Sequence, residues 1–188
     1  MPAGLAIFSV RNGSIVVSEA GVPASPLIQS GRIFAEVNGS VNTGLAIANP
    51  NNQPATVSFY FTDATGRDYG QGALVIPANG QIADFLNSRL FNSGVLPAGA
   101  FTFTSSVPVA AIALRGLTNE RSEFLITTLP VTPLAAQSGN LLFPHFADGS
   151  GWTTQVILVN PGDQVLTGSL QFVSQGNGAT PGQPVIVS

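Results

Sequence analysis

The clearest hydrophobic pattern in the chain is a strict alternation over residues 55–62. Val57, Phe59 and Phe61 fall on one face, and the residues between them fall on the other. This period of two predicts a β-strand with one buried face. Because the run before it is rich in Asn and Pro, which favour turns, we expect an antiparallel neighbouring strand at 45–49.

Other short apolar runs, separated by Gly, Pro and Asn, have the same character. The pair Asn12-Gly13 predicts a type I′ hairpin between strands at 5–10 and 15–18, since this dipeptide supplies two positive φ angles. Residues 81–92 differ, because their apolar positions share one face at helical spacing, which predicts one short helix. Many short strands with turn residues between them predict an all-β sandwich. Further strands are predicted at 32–37, 73–76, 101–105, 107–114 and 123–128.

The chain also repeats itself in two registers. In the first repeat, residues 45–50 recur at 156–161, and this register continues without a gap toward the C-terminus. In the second repeat, residues 22–27 recur at 129–134. Repeats of this kind indicate that one structural unit occurs more than once.

These repeats divide the chain into one complete module and a split one. Residues 29–136 are predicted to form a complete β-sandwich module, which is a usual size for such a module. Residues 1–28 correspond to the tail strands of a second module and residues 137–188 to its head strands. Bare sheet edges and apolar faces invite association, so we expect the split module to close within one chain or between chains. The residues expected to make this contact are Leu5, Ile7, Phe8, Ile15, Val17, Val156, Leu158, Leu170 and Phe172.

Composition excludes several classes of partner. The 188 residues include only six basic and nine acidic ones, with a net charge of −3, and the six Arg are scattered. We therefore expect no nucleic-acid partner, because binding phosphates requires clustered basic residues. No disulfide or thiolate site can form without Cys. The longest clean apolar run, 107–114, is too short to cross a bilayer, so no membrane insertion is expected.

Catalytic chemistry has little support in the sequence. His145 is the only His, and although Asp148 follows closely, no nucleophile elbow precedes a helix. Carboxylate pairs suited to a glycosidase fall in turns beside Arg, and no loop has the acidic spacing of a calcium site. We therefore expect no enzyme, no catalytic residue, no cofactor and no metal site. The carboxylate pairs closest in sequence are Glu120 with Glu123 and Asp63 with Asp68.

Carbohydrate binding is a separate hypothesis that rests on aromatic side chains. Tyr60 lies on the predicted solvent face of its strand, Tyr69 lies in a predicted loop, and Trp152 lies at the start of a predicted strand. Carbohydrate-binding sandwiches hold sugar rings against such faces. The apolar Val41 at the position that matches Trp152 favours a packing role for that side chain instead.

Three segments resemble repeats of long exported bacterial surface proteins. They are residues 143–161, which contain Phe-Pro-His-Phe-Ala-Asp-Gly, residues 114–128, and residues 19–24. The resemblance spans nearly the whole chain. It implies immunoglobulin-like β-sandwich modules and an extracellular or cell-surface location.

Two functions remain open at this point. The first is an extracellular structural protein that assembles with copies of itself, head to tail, into a filament or surface layer. The alternative is a cell-surface adhesion or carbohydrate-binding module of a larger secreted protein, with surface glycans as partners. The first residues lack the basic and apolar regions of a secretory signal, which alone indicates a cytoplasmic protein. Because the rest of the composition suits exported, surface-exposed β proteins, we expect the chain to be a mature piece or fragment of something longer.

Overall fold

The computed structural model describes residues 4–134, 139–173 and 182–187. Every regular element in these ranges is a β-strand, and all strand pairs are antiparallel. The all-β fold predicted from the hydrophobic pattern is therefore confirmed. The strands are β1 (Leu5–Asn12), β2 (Ile15–Pro23), β3 (Leu27–Asn38), β4 (Val41–Ala48), β5 (Ala55–Asp63), β6 (Asp68–Ile76), β7 (Gln81–Phe85), β8 (Leu96–Thr118), β9 (Phe124–Leu129), β10 (Gly168–Leu170) and β11 (Val185–Val187).

The long strand β8 joins two layers of a curled sheet. Its first half pairs with β3 and β5, and its second half pairs with β4 and β9. A register shift against β3, between Ile28 and Ser30, marks the bend between the halves. With β6 and β7 as outer strands, the seven strands β3–β9 form a sandwich-like half-barrel, here called the central unit.

Aromatic rings fill the core between the two layers. Phe59, Phe61 and Phe101 are at most 6% exposed, and the Phe101 ring centroid lies 5.3 Å from each of the other two. Stacked and edge-to-face contacts of this kind add to the stabilisation from burial alone. On the same strand β5, Thr56 and Ser58 face solvent. The predicted alternation is therefore present.

Residues 81–92 form no helix, so that prediction is wrong. Residues 81–85 form β7, which pairs with β4, and turns follow. Only Leu86 and Phe91 of the apolar residues on the predicted helical face are buried. The outer edge of β4 carries backbone groups that need partners, and a strand satisfies them where a helix would not.

The predicted pairing of β4 with β5 is also wrong. The two strands lie in different layers, and each pairs with a different half of β8. The Asn-rich turn after β4 therefore carries the chain from one layer to the other. It does not close a hairpin.

The hairpin of β1 with β2 forms as predicted, but its turn differs from the predicted type. Of the two loop residues Gly13 and Ser14, only Gly13 has a positive φ, of 60°. A positive φ at the first position alone is typical of a type II′ turn, in which Gly is preferred at that place. Ser14 supplies the second position without needing a left-handed backbone.

The strands outside the central unit form two separate sheets. β1 pairs with β2, and β10 pairs with β11. In the described part of the chain, these N-terminal and C-terminal strands do not pair with each other. Within the described ranges, no strand pairing closes the split module.

Candidate assembly surfaces

The hairpin of β1 and β2 has the same strand register as the pair β8 and β9. Ala6 lies opposite Val22, and their counterparts in the second repeat, Ala113 and Leu129, also lie opposite each other. The match continues to the bulge after Val10. In its pairing, β1 thus corresponds to the second half of β8, and β2 corresponds to β9.

Hydroxyl groups attach this hairpin to the outer edge of β9. The backbone N–H of Ile126 donates to Ser18 Oγ at 2.9 Å, and the hydroxyl of Thr128 donates to the carbonyl of Gly21. These bonds fix β2 beside β9 without a backbone ladder. Among the described residues, the other edge of β1 has no paired strand.

The C-terminal segment repeats hydrogen bonds of the corner between β3 and β4. Thr43 Oγ1 accepts from the N–H of Glu36 at 3.0 Å and donates to its carbonyl at 3.2 Å. At the equivalent positions of the first repeat, Thr154 Oγ1 makes the same two bonds with Ala147, at 3.0 and 2.8 Å. The local backbone arrangement is therefore repeated as well as the sequence.

The turn after β4 recurs in the same way. The side-chain amide of Asn49 donates to the carbonyl four residues later at 2.8 Å, and that of Asn160 does so at 2.7 Å. In both turns, the side-chain oxygen accepts from the N–H two residues later. The two Asn side chains thus hold equivalent turns.

Core positions of the central unit are exposed in its C-terminal copy. Ile47 is 0% exposed and its counterpart Leu158 is 48% exposed; Phe61 is 0% exposed and its counterpart Phe172 is 39% exposed. Phe172 makes an edge contact with Phe146, with ring centroids 5.0 Å apart. The copy thus carries apolar side chains at core positions, and no second layer among the described residues covers them.

The predicted assembly residues lie on two surfaces. The N-terminal surface is the β1–β2 hairpin, and the C-terminal surface comprises residues 139–173 and 182–187. Most of these side chains are exposed, and Val17, Val156 and Leu170 are half-buried. The N-terminal surface carries Leu5, Ile7, Phe8, Ile15 and Val17, and the C-terminal surface carries Val156, Leu158, Leu170 and Phe172.

Arg32 anchors the C-terminal surface to the central unit. It is 7% exposed, and it donates from Nε to Thr102 Oγ1 at 2.8 Å and from Nη2 to Tyr60 Oη at 3.0 Å. The guanidinium also binds residues 160–163, through two backbone carbonyls at 3.0 and 2.9 Å and the Asp163 carboxylate at 3.1 Å. Sequence reasoning missed this residue, because no local pattern indicates partners so distant along the chain.

The three aromatic residues considered for sugar binding lie in different environments. Tyr60 lines an open hollow of about 440 Å³ on the outer face of β5. The ring of Tyr69 stacks on core-facing Phe61 with centroids 5.6 Å apart, and burial raises the pKa of its hydroxyl. Trp152 lies on the C-terminal surface and is 69% exposed. Tyr60 and Tyr69 therefore do not share a face.

Two of the four carboxylates considered as catalytic pairs, Asp63 and Glu123, organise turns. Asp63 accepts hydrogen bonds from the side chain and backbone of Thr65 and from the backbone of Arg67, which lower its pKa. Hydrogen bonds from Asn119, and then from a neighbouring Arg, lower the pKa of Glu123. Asp68 instead accepts from a threonine hydroxyl on β5.

His145 and Asp148 are both exposed, and no hydrogen bond joins their side chains in the described ranges. Residues 4–134, 139–173 and 182–187 contain no cluster of three or more His, Asp or Glu that could hold a metal ion. The same ranges contain no helix that is long and apolar enough to span a bilayer.

No family model matches the chain, and no curated protein matches it. Among solved structures, an Anabaena sensory rhodopsin transducer is similar at 20% identity, with a TM-score of 0.39, over 46% of this chain and 96% of that chain. A second structure, Thermotoga maritima 1070, is similar at 13% identity, with a TM-score of 0.48, over 56% of this chain and 92% of that chain.

Proposed function

We propose that the protein is an extracellular structural protein whose molecules assemble head to tail by strand addition. The observation that carries this proposal is that the N-terminal and C-terminal surfaces are copies of complementary parts of the central unit. The first repeats β8 and β9, and the second repeats the β3–β4 corner and the turn after β4. The N-terminal surface exposes a strand edge, and the C-terminal surface exposes an apolar face. In the central unit, the equivalent edge is paired and the equivalent face is covered.

The physical drive for this assembly is the burial of apolar surface and the pairing of bare backbone groups. Exposed strand edges and contiguous apolar patches promote association between chains. Because the two surfaces differ, contact between them is heterologous, and such contacts produce open filaments unless the rotation closes a ring. A filament or a surface layer is the expected product. The location outside the cell rests on the resemblance to exported surface repeats and on the scarcity of charge.

Sedimentation and electron microscopy of the purified full chain test the proposal. We expect the wild type to form polymers that grow with protein concentration. Phe8→Lys places a charge on the face of the N-terminal surface that carries Ala6, and it is expected to reduce polymer size. Val95→Lys is the matched control, because Val95 is 78% exposed in a loop outside both surfaces. Discrete wild-type monomers at high concentration would overturn the proposal.

A second candidate function is a surface adhesion or carbohydrate-binding module. The exposed indole of Trp152 supports it, since a bare aromatic face can stack on a sugar ring. Binding to a glycan array would favour this candidate, and the role of Trp152 in such binding is testable by substitution.

A further inference from the structure

The central unit contains a template for the contact between molecules. There β4 pairs with the second half of β8, from Val41 opposite Leu117 to Ala48 opposite Ala110. On the N-terminal surface, β1 is the copy of that half of β8, but no described strand occupies the place of β4. On the C-terminal surface, residues 152–159 are the copy of β4, but they belong to no strand beyond an isolated bridge at their start.

We propose that residues 152–158 of one molecule pair antiparallel with residues 4–10 of a second copy, with Trp152 opposite Val10 and Val156 opposite Ala6. Through the first repeat, Trp152 and Val156 correspond to Val41 and Leu45 of β4. Through the second repeat, Val10 and Ala6 correspond to Leu117 and Ala113 of β8. In the central unit, Val41 lies opposite Leu117 and Leu45 lies opposite Ala113. The inference rests on the proposed function, since it names the partner segments and the register of the head-to-tail contact.

In the template, two large residues of β4 lie opposite small residues of β8. Leu45 of β4 lies opposite Ala113 of β8, and Ile47 lies opposite Ala111. All four residues are at most 4% exposed. A large side chain on β4 thus lies beside a small one on β8 on the same face of the sheet, which allows this face to pack closely.

The proposed register repeats this relation between large and small residues. It places Val156 opposite Ala6 and Leu158 opposite Gly4. A shift of one residue would place Leu158 opposite Leu5 and would turn every side chain of the added strand to the other face. The small residues at the start of the N-terminal surface therefore favour one register.

The two segments are attached to different layers of their own molecule. Ser18 and Thr128 hold the β1–β2 hairpin on β9, in the layer that contains β4. Arg32 holds residues 160–163 on the outer face of the layer that contains β3 and β5. The two segments are thus held on different layers of the same molecule, which favours pairing between copies over closure within one chain.

Engineered disulfides can test this register, because the chain has no Cys. Residues opposite each other on antiparallel strands have Cα atoms roughly 4.5–5.5 Å apart, which suits a disulfide. An Ala6→Cys variant that carries a mass tag is mixed with an untagged Val156→Cys variant and oxidised. The control mixture is tagged Ile7→Cys with Val156→Cys. We expect about tenfold more disulfide-linked heterodimer from the first mixture, since the Ile7 side chain points to the opposite face.

The outcomes separate this inference from the proposed function. If both mixtures polymerise in sedimentation but yield equal amounts of heterodimer, the register is wrong and the assembly stands. If the wild type stays monomeric at all concentrations, the proposed function itself fails. A double variant, Ala6→Cys with Val156→Cys, that forms its disulfide only within monomers would overturn the inference in favour of closure in one chain.

Discussion

Asn160 holds the same turn as Asn49 but, among the described residues, makes only one of the three donor bonds of the Asn49 amide. The amide of Asn49 also donates to the carbonyls of Ile76 and Pro77, at 3.2 and 2.9 Å, and the residue is 1% exposed. Among the described residues, the amide of Asn160 donates only to the carbonyl of Gln164. In the central unit, the Asn side chain thus also binds the end of β6. In the copy, no described strand binds it.

The two Asn residues should differ in their contribution to stability. We expect Asn49→Ala to lower the free energy of unfolding by about 2–4 kcal/mol, because it removes the donor of the buried carbonyl of Ile76 and of two part-buried carbonyls. Asn160→Ala should cost less than about 1 kcal/mol, since solvent can reach its partners. Urea unfolding of the two variants at equal concentration measures both values. Equal costs would show that the C-terminal copy is as well covered as the central unit.

Arg32 should be needed to hold the C-terminal surface in place. We expect Arg32→Met to lower the free energy of unfolding by about 2–3 kcal/mol, because the buried hydroxyl of Thr102 and several part-buried acceptors lose a charged donor. Amide hydrogen exchange should become faster in residues 156–164. Arg89→Met, at an exposed Arg, is the control and should change neither quantity. Unchanged exchange in the Arg32 variant would show that other contacts hold this segment.

Stability should fall in acid, partly through Asp63. Hydrogen bonds from Thr65 and Arg67 lower its pKa in the folded protein from the ordinary value of 3.8. A lowered pKa contributes stability that is fully present above the unfolded value and is lost as the pH falls through the folded value. We expect Asp63→Asn to flatten the decline in urea midpoint below about pH 4. Exposed Asp148→Asn is the control, and an equal flattening there would contradict this role for the turn.

Replacing Trp152 should distinguish the two candidate functions. In the assembly proposal, Trp152 occupies a core-facing position of the β4 copy, so Trp152→Ala should reduce the fraction of protein that sediments as polymer. Val95→Ala should leave that fraction unchanged, because Val95 is an exposed loop residue outside both surfaces. Glycan binding that is lost in Trp152→Ala while polymers persist would support the carbohydrate-binding module instead.

Local patterns predicted much of the fold. The alternation in β5 depends only on which side chains face the core, and this is visible over a few residues. The hairpin of β1 and β2 was likewise predicted from one dipeptide between two apolar runs. The two repeats also led to the assembly surfaces, because equivalent sequences adopt equivalent hydrogen bonds.

Features that depend on distant contacts escaped prediction. The turn after β4 resembles a hairpin turn in sequence, but β8, which follows much later, supplies the partners of both flanking strands. The segment 81–92 has apolar residues at helical spacing, yet the unpaired edge of β4 selects a strand for its first part. In the sequence, Arg32 resembles an ordinary solvent-facing residue of a strand. The backbone carbonyls that it binds lie far along the chain, so only the structure identifies them.

The sharing of β8 between both layers also determines how the central unit would respond to force or heat. Neither layer can unfold alone, because β8 belongs to both layers and the unfolding of either one would disrupt it. We therefore expect a single cooperative melting transition for this part of the molecule. In a polymer of such units, each unit would behave as a stiff segment, and flexibility would be concentrated at the joints.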